Sequence, residues 1–278
     1  MKLGDLEFHV LSDGHVMLDG GAMFGVIPKP LWEKKMPSDS RNRITLSMNC
    51  LLIRAGGKRI LVETGAGNKM DAKLREIYGL NGPRIADGLR EYGLEPADID
   101  IVIDTHLHFD HCGGNTRVEK DKVVATFPNA QYFVQKGEFE HALQPTERDR
   151  ASYFSENYVP LHETGKLSLI EGDATIAPGV DVVKVPGHTA NMMCVKLTGG
   201  EKTAFLFADL APTAAHLPLP WIMGYDLYPM TTLENKRKWI PEVVREGWLA
   251  LFSHDAQVPA AYLRERNGRW ETEPVKVD

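Results

Sequence analysis

Residues 105–114 read THLHFDHCGG. His106, His108, Asp110 and His111 fall inside six positions, directly after the apolar run IDIVIDT at 99–105. A run that short and that apolar reads as a buried strand, so the cluster begins where a strand hands over to a loop. Alternation along extended backbone sends the side chains of His106 and His108 the same way, and both can reach one ion. Asp110 and His111 follow in the turn and point toward a second position nearby. Gly113 and Gly114 then permit close backbone approach. Histidine nitrogens with carboxylates suit zinc, manganese, iron or cobalt better than calcium or magnesium. The motif alone closes neither position, because a catalytic zinc takes three protein ligands with one position left open.

Further ligands are sought at other strand ends. PGHT at 186–189 puts His188 in a glycine-containing turn after the run VDVVKV. TAFLFAD at 203–209 ends on Asp209, and WLALFSHD at 248–255 delivers His254 in the same kind of place. A carboxylate closing so apolar a run is costly without a positive partner, which a metal provides. The isolated His9, His15, His141 and His162 read as ordinary structural residues. Cys112 adjoins a ligand and reads as a buried packing group.

Taken together and in this order, from about residue 45 to 255, HxHxDH with Gly-Gly, the PGHT histidine, the strand-ending aspartate and the last histidine resemble the metallo-β-lactamase superfamily. The resemblance implies one α/β domain over residues 1–278, a four-layer αββα sandwich with its metals at one edge between the sheets. It also implies two divalent metal ions, zinc first, with manganese, iron or cobalt as alternatives. His106, His108 and His188 would hold one ion and Asp110, His111 and His254 the other, with Asp209 bridging. RILVETG at 59–65 departs from the family, whose corresponding segment ends Asp-Thr-Gly. Glu63 stands at the acid's place. It either supports the ligand histidines from behind, as the family's aspartate does, or is a capping or surface acid.

Composition bounds the rest. The chain has 278 residues, a net charge of −6 and a pI near 5.9, which argues against general nucleic-acid binding because phosphate recognition needs a basic footprint. Three scattered cysteines form no CxxC pair, so no zinc ribbon or dithiol motif is available. The opening MKLGDLEFHV lacks the apolar run of a signal peptide. The sequence also has no apolar stretch long enough to span a membrane. The expectation is a cytoplasmic enzyme with a small-molecule substrate. Further strands are predicted at 48–56 and 192–198. Helices are predicted at 83–93 and 233–247, the latter kinked or broken at Pro241, and a final hairpin turns at Asn267-Gly268.

Two segments speak to substrate: DGGAMFGVIPKPLW at 19–32 and APTAAHLPLPWIMGYDLYP at 211–229. Met23, Phe24, Ile27 and Trp32, with Leu217, Trp221, Met223, Tyr225 and Tyr228, are candidates for an apolar mouth that favours an acyl or aryl group. Exposed apolar surface of this kind also makes a homodimer an expectation. Both segments resemble the branch of the superfamily that contains quorum-quenching lactonases of the methyl-parathion-hydrolase-like type. That resemblance implies a bridging hydroxide attacking a lactone or ester carbonyl, with Asp110 and Asp209 as the catalytic carboxylates and acyl-homoserine lactones as substrates. The alternatives are an aryl phosphotriesterase or promiscuous arylesterase, and behind these a glyoxalase II-like thioesterase or a mononuclear-iron sulfur dioxygenase. Some lactonases of the superfamily carry a tyrosine three positions after the bridging aspartate. Pro212 stands there in this chain, which leaves Tyr225 or His216 as candidate oxyanion donors.

Overall fold

Along Arg43–Ala55, Cys50 and Leu52 are buried in one apolar cluster and Leu51 and Ile53 in another. A strand covered on both faces belongs inside a stack of layers. The computed structural model describes residues 1–277 and shows that stack. The chain begins with strands β1 (Lys2–Leu3), β2 (Leu6–Asp19), β3 (Arg43–Ala55), β4 (Lys58–Val62) and β5 (Ile101–Ile103). A separate hairpin follows, β6 (Thr116–Glu119) and β7 (Lys122–Ala125), and then β8 (Gln131–Gln135) and β9 (Leu167–Ile170). The first sheet has the order β1-β2-β3-β4-β5-β8-β9, antiparallel as far as β4 and parallel from there on.

The second sheet runs in chain order: β10 (Ala174–Ala177), β11 (Val180–Lys184), β12 (Met193–Gly199), β13 (Lys202–Leu206), β14 (Leu249–Leu251), β15 (Ala260–Arg266) and β16 (Arg269–Pro274). Only β13 and β14 pair in parallel, and the long helix Pro229–Arg245 lies in the connection between them, as a parallel pair requires a crossover.

Alternation along the strands sorts the apolar side chains into three layers. Between the sheets, Phe8, Ile53 and Val62 meet Val182, Val195 and Leu206. On the outer face of the first sheet, Leu52, Leu61 and Tyr132 pack against helical Leu89, Phe139 and Leu161. On the outer face of the second, Cys194, Phe205 and Ala250 pack against Ile240 and Val243 of the long helix. This is the expected four-layer αββα arrangement.

The final hairpin turns at Asn267 (φ 52°) and Gly268 (φ 70°), closed by the Arg266–Arg269 pair, as a primed two-residue turn demands. The helix expected at 83–93 spans Ile85–Glu91. The expected helix at 233–247 starts earlier, at Pro229, and runs through Pro241 to Arg245 without a break. The 14-residue β2 was not anticipated. Ser12, Asp13 and His15 interrupt its apolar alternation, and its register shifts between Ser12 and His15. No helix among the described residues is long and apolar enough to cross a membrane.

Candidate metal centre and cavity

Four strand ends deliver the candidate ligands to one edge between the sheets, β11 stopping at Lys184 ahead of His188. β5 stops at Ile103, just ahead of the THLHFDHCGG segment; β13 stops at Leu206, before Asp209; β14 stops at Leu251, before His254. Phe109–Cys112 forms a single helical turn. It packs so closely on residues 64–66 that a Cβ on Gly113 would sit 2.3 Å from the Ala66 carbonyl oxygen, and one on Gly114 2.2 Å from that of Thr64. The two glycines are therefore steric requirements for seating the motif.

The seven residues named from the sequence converge. His108 Nδ1 lies 3.1 Å from His106 Nε2 and 3.0 Å from His188 Nε2, making one group. His111 Nε2 and His254 Nε2 lie 3.0 Å apart, with Asp110 Oδ2 3.7 Å from His254 Nε2, making the other. Asp209 stands between them. Its Oδ2 is 3.1 Å from His188 Nε2, while its Oδ1 is 3.5 Å from His111 Nε2 and 3.3 Å from His254 Nε2. Each carboxylate oxygen faces one group.

The outward ring nitrogens explain why these lone pairs point inward. His188 Nδ1 is 2.9 Å from a carboxylate oxygen of Asp226, and His254 Nδ1 is 2.8 Å from the Ser47 carbonyl. Both partners only accept, so each Nδ1 carries the proton and each Nε2 presents a lone pair. Glu63 is buried, with Oε2 3.1 Å from His111 Nδ1 and Oε1 accepting from the Thr105 amide at 3.1 Å. Of the two readings of Glu63, this placement is the one behind a ligand histidine. Lone pairs facing each other at 3.0 Å need a proton or a cation between them. Burial pushes the imidazoles of His111, His188 and His254 down. Surrounding carboxylates (Glu63 and Asp209 at His111, Asp209 and Asp226 at His188, Asp209 at His254) outweigh it and leave all three raised. Burial would raise Asp209, yet these histidines hold it well below its usual range. Burial and the neighbouring histidines instead hold His106 and His108 well below the usual imidazole range. The donor set fits two divalent ions, and His106, His108 and His188, with Asp110, His111 and His254, form tight ligand clusters.

A cavity of about 420 Å³ opens onto this centre, with His108, Asp110, His188, Asp209 and His254 in its lining. Of the residues expected at the mouth, Met23, Met223 and Tyr225 line it. The others are placed elsewhere. Phe24 is fully buried, stacked on Trp32 with centroids 5.3 Å apart and on His216 at 4.5 Å, so these three back the wall. His216 is tied to the Met23 carbonyl at 2.9 Å and to Thr213 Oγ1 at 2.8 Å, and burial pulls it down to about 3. It is neutral and already engaged, which removes it as an oxyanion donor. Ile27 packs against the same apolar cluster. Leu217 and Trp221 line a separate surface groove, and Tyr228 is exposed.

The sequence reading missed Leu18, Tyr78, Phe109, Arg148 and Ser152 in the lining. It also missed Asp226, which is buried behind His188. One signal for it existed: Asp226 is the sole charged residue in the segment 211–229. Burial and the charge of Asp110 raise the Tyr78 hydroxyl. Tyr225 is pushed up to about 12 by burial, Asp19 and Asp110. Both are protonated donors at neutral pH.

This layering and this pair of ligand groups define a class: αββα proteins that carry a divalent-metal centre where their two sheets meet. The Metallo-beta-lactamase superfamily model matches residues 44–255, and the chain belongs to that superfamily. Over 177 residues it is 31% identical to an N-acyl homoserine lactonase of Bacillus thuringiensis, a match covering 63% of each chain, so it spans 63% of that relative's length. Among solved structures it is similar to a probable metal-dependent hydrolase from Staphylococcus aureus, at 32% identity and TM-score 0.91 over 100% of both chains. It is also similar to AidC, a dizinc quorum-quenching lactonase, at TM-score 0.83 over 100% of this chain and 97% of that one. Identity there is 21%, so that likeness speaks for the fold alone.

Proposed function

We propose that the protein is a metal-dependent hydrolase of lactones, with acyl-homoserine lactones as its substrate class and two divalent ions, zinc first, as its cofactors. The observation that carries this reading is the convergence of a three-histidine group and an Asp110–His111–His254 group, with Asp209 between them, at a cavity walled by Leu18, Met23, Phe109 and Met223. The name borne by the Bacillus thuringiensis relative supports it. Bound divalent ions would supply Lewis-acid polarisation of an ester carbonyl and activation of water at neutral pH. The chain's own residues do the rest. The apolar walls seat the acyl group and exclude bulk water from the carbonyl. Asp110 faces both the cavity and His254, where its carboxylate orients the attacking water, takes its proton and returns it to the leaving oxygen. Tyr225 and Tyr78 present hydroxyl donors at the wall for the carbonyl oxygen. Exposed Val26, Leu31 and Met230 supply apolar surface for a homodimer.

The aromatic lining of Tyr78, Phe109 and Tyr225 also favours a second reading, an arylesterase or aryl phosphotriesterase. Measuring kcat/KM over acyl-homoserine lactones, simple aryl esters and paraoxon-like triesters separates the two. The proposal expects lactones to be preferred. Equal or better turnover of generic aryl esters would defeat it.

A further inference from the structure

Glu138 lies in the helix Lys136–Leu143, and its side chain is wholly buried. Oε1 accepts from the backbone N–H of Leu107 at 3.2 Å and from the Tyr153 hydroxyl at 2.9 Å. Oε2 accepts from the Thr189 hydroxyl at 2.7 Å. Leu107 is the residue between His106 and His108, and Thr189 directly follows His188. The Tyr153 ring stands edge-on to the His108 ring with centroids 4.8 Å apart. One carboxylate therefore grips both loops that supply the first histidine group, together with the ring packed against its middle member. The helix is seated tightly on the second of these loops, since a Cβ on Gly137 would come within 2.6 Å of Asn191 Oδ1. Among the described residues Glu138 has three hydrogen-bond donors and no ion-pair partner. A buried carboxylate without a cation is expensive to keep.

We propose that Glu138 is the positioning residue of the first metal position. It sets the spacing between the His106/His108 loop and the His188 loop, and its charge raises the affinity of that position for a divalent cation. The inference rests on the metal reading of the centre and not on the identity of the substrate.

The test titrates the metal-free protein with Co²⁺, following the visible spectrum and the heat of binding. It compares the wild type with Glu138→Gln, Glu138→Leu, Thr189→Val and His188→Ala, and records the thermal unfolding of each metal-free form. Glu138→Leu should lower affinity at the first position by roughly 10- to 100-fold and shift its absorption bands, the range seen when groups that orient ligands are removed. Glu138→Gln keeps an acceptor for Leu107 but loses the charge, so it should fall between the leucine variant and the wild type. Thr189→Val should move the same position in the same direction. The second position should keep its affinity throughout. The proposal is overturned if both Glu138 variants bind at the first position as the wild type does. It is equally overturned if they weaken both positions alike while the metal-free form melts lower, the mark of a purely structural role. His188→Ala separates this proposal from the metal reading: if it still binds two ions as the wild type does, the reading of the centre fails. If it loses one ion while the Glu138 variants lose nothing, only the role of Glu138 fails.

Discussion

Asp209 turns one oxygen to each histidine group, 3.1 Å from His188 Nε2 on one side and 3.3 Å from His254 Nε2 on the other. If Asp209 bridges as proposed, its replacement by alanine removes a ligand from both positions at once. Asp209→Ala is expected to bind fewer than two ions per chain and to lose at least about 100-fold in kcat, since the ions supply the main polarising charge of such a reaction. Elemental analysis and initial rates check this, and wild-type values for both would show that Asp209 bridges nothing. Glu63 makes a finer point. It is non-glycine with φ 65°, a strained position that persists only where the surroundings impose it, and it spans from the Thr105 amide to His111. Glu63→Ala should weaken the second ion by roughly 10- to 100-fold while leaving the first in place, as competition with a chromogenic chelator would show; equal loss at both positions would contradict it. The seven inward-facing donors were readable in the sequence because they cluster at the ends of apolar runs. Glu138 was not, because a buried acid outside the motif has no spacing to betray it, and Asp226 showed only as the lone charge of its segment.

At the scale of elements, the loop before the long helix is held from beneath. Lys236 is fully buried, and its ammonium donates to the carbonyls of His216 at 2.6 Å, Pro218 at 2.8 Å and Trp221 at 2.9 Å. The same loop carries Met223 and Tyr225 into the cavity wall. Lys236→Met would strand three carbonyls. It is expected to cost roughly 2–5 kcal/mol and to raise KM more than it lowers kcat, because the metal ligands lie on other segments. Urea unfolding with steady-state kinetics is the check, and a variant with unchanged KM would show that the clamp does not shape the cavity. This element also shows where pattern reading stops. Phe24 and Met23 look alike in a sequence, yet one backs the wall and the other lines it. Apolar character predicts burial and says nothing about which side of a wall a ring occupies. The strand β2 escaped notice for the complementary reason, since the polar stretch at 12–15, with Asp13 buried, broke the alternation midway.

For the whole molecule, the candidate ligands come from both sheets. His106, His108, Asp110 and His111 follow β5 of the first, while His188, Asp209 and His254 follow β11, β13 and β14 of the second. Ions held at these positions, as proposed, would tie the two halves of the sandwich, and removing them should lower the melting temperature. An ion present at 1,000 times its dissociation constant adds about 4 kcal/mol. Calorimetry before and after chelation, with zinc restored afterwards, measures the difference; identical transitions in the three states would mean that the ions are not coupled to folding. The four layers were legible only in part. The strongly apolar central strands announced themselves, but their order depends on pairings between residues too far apart for any local pattern to record.

The split of ligands between the sheets has a consequence for how the protein is made. When the first sheet has left the ribosome, the chain already displays four donors from the THLHFDHCGG segment but can complete neither group. The first closes only once His188 has emerged, and the second waits for His254, which follows the fifth of the second sheet's seven strands. Under the proposed ligand set, full metal loading would require a chain that extends past β14 with both sheets in place.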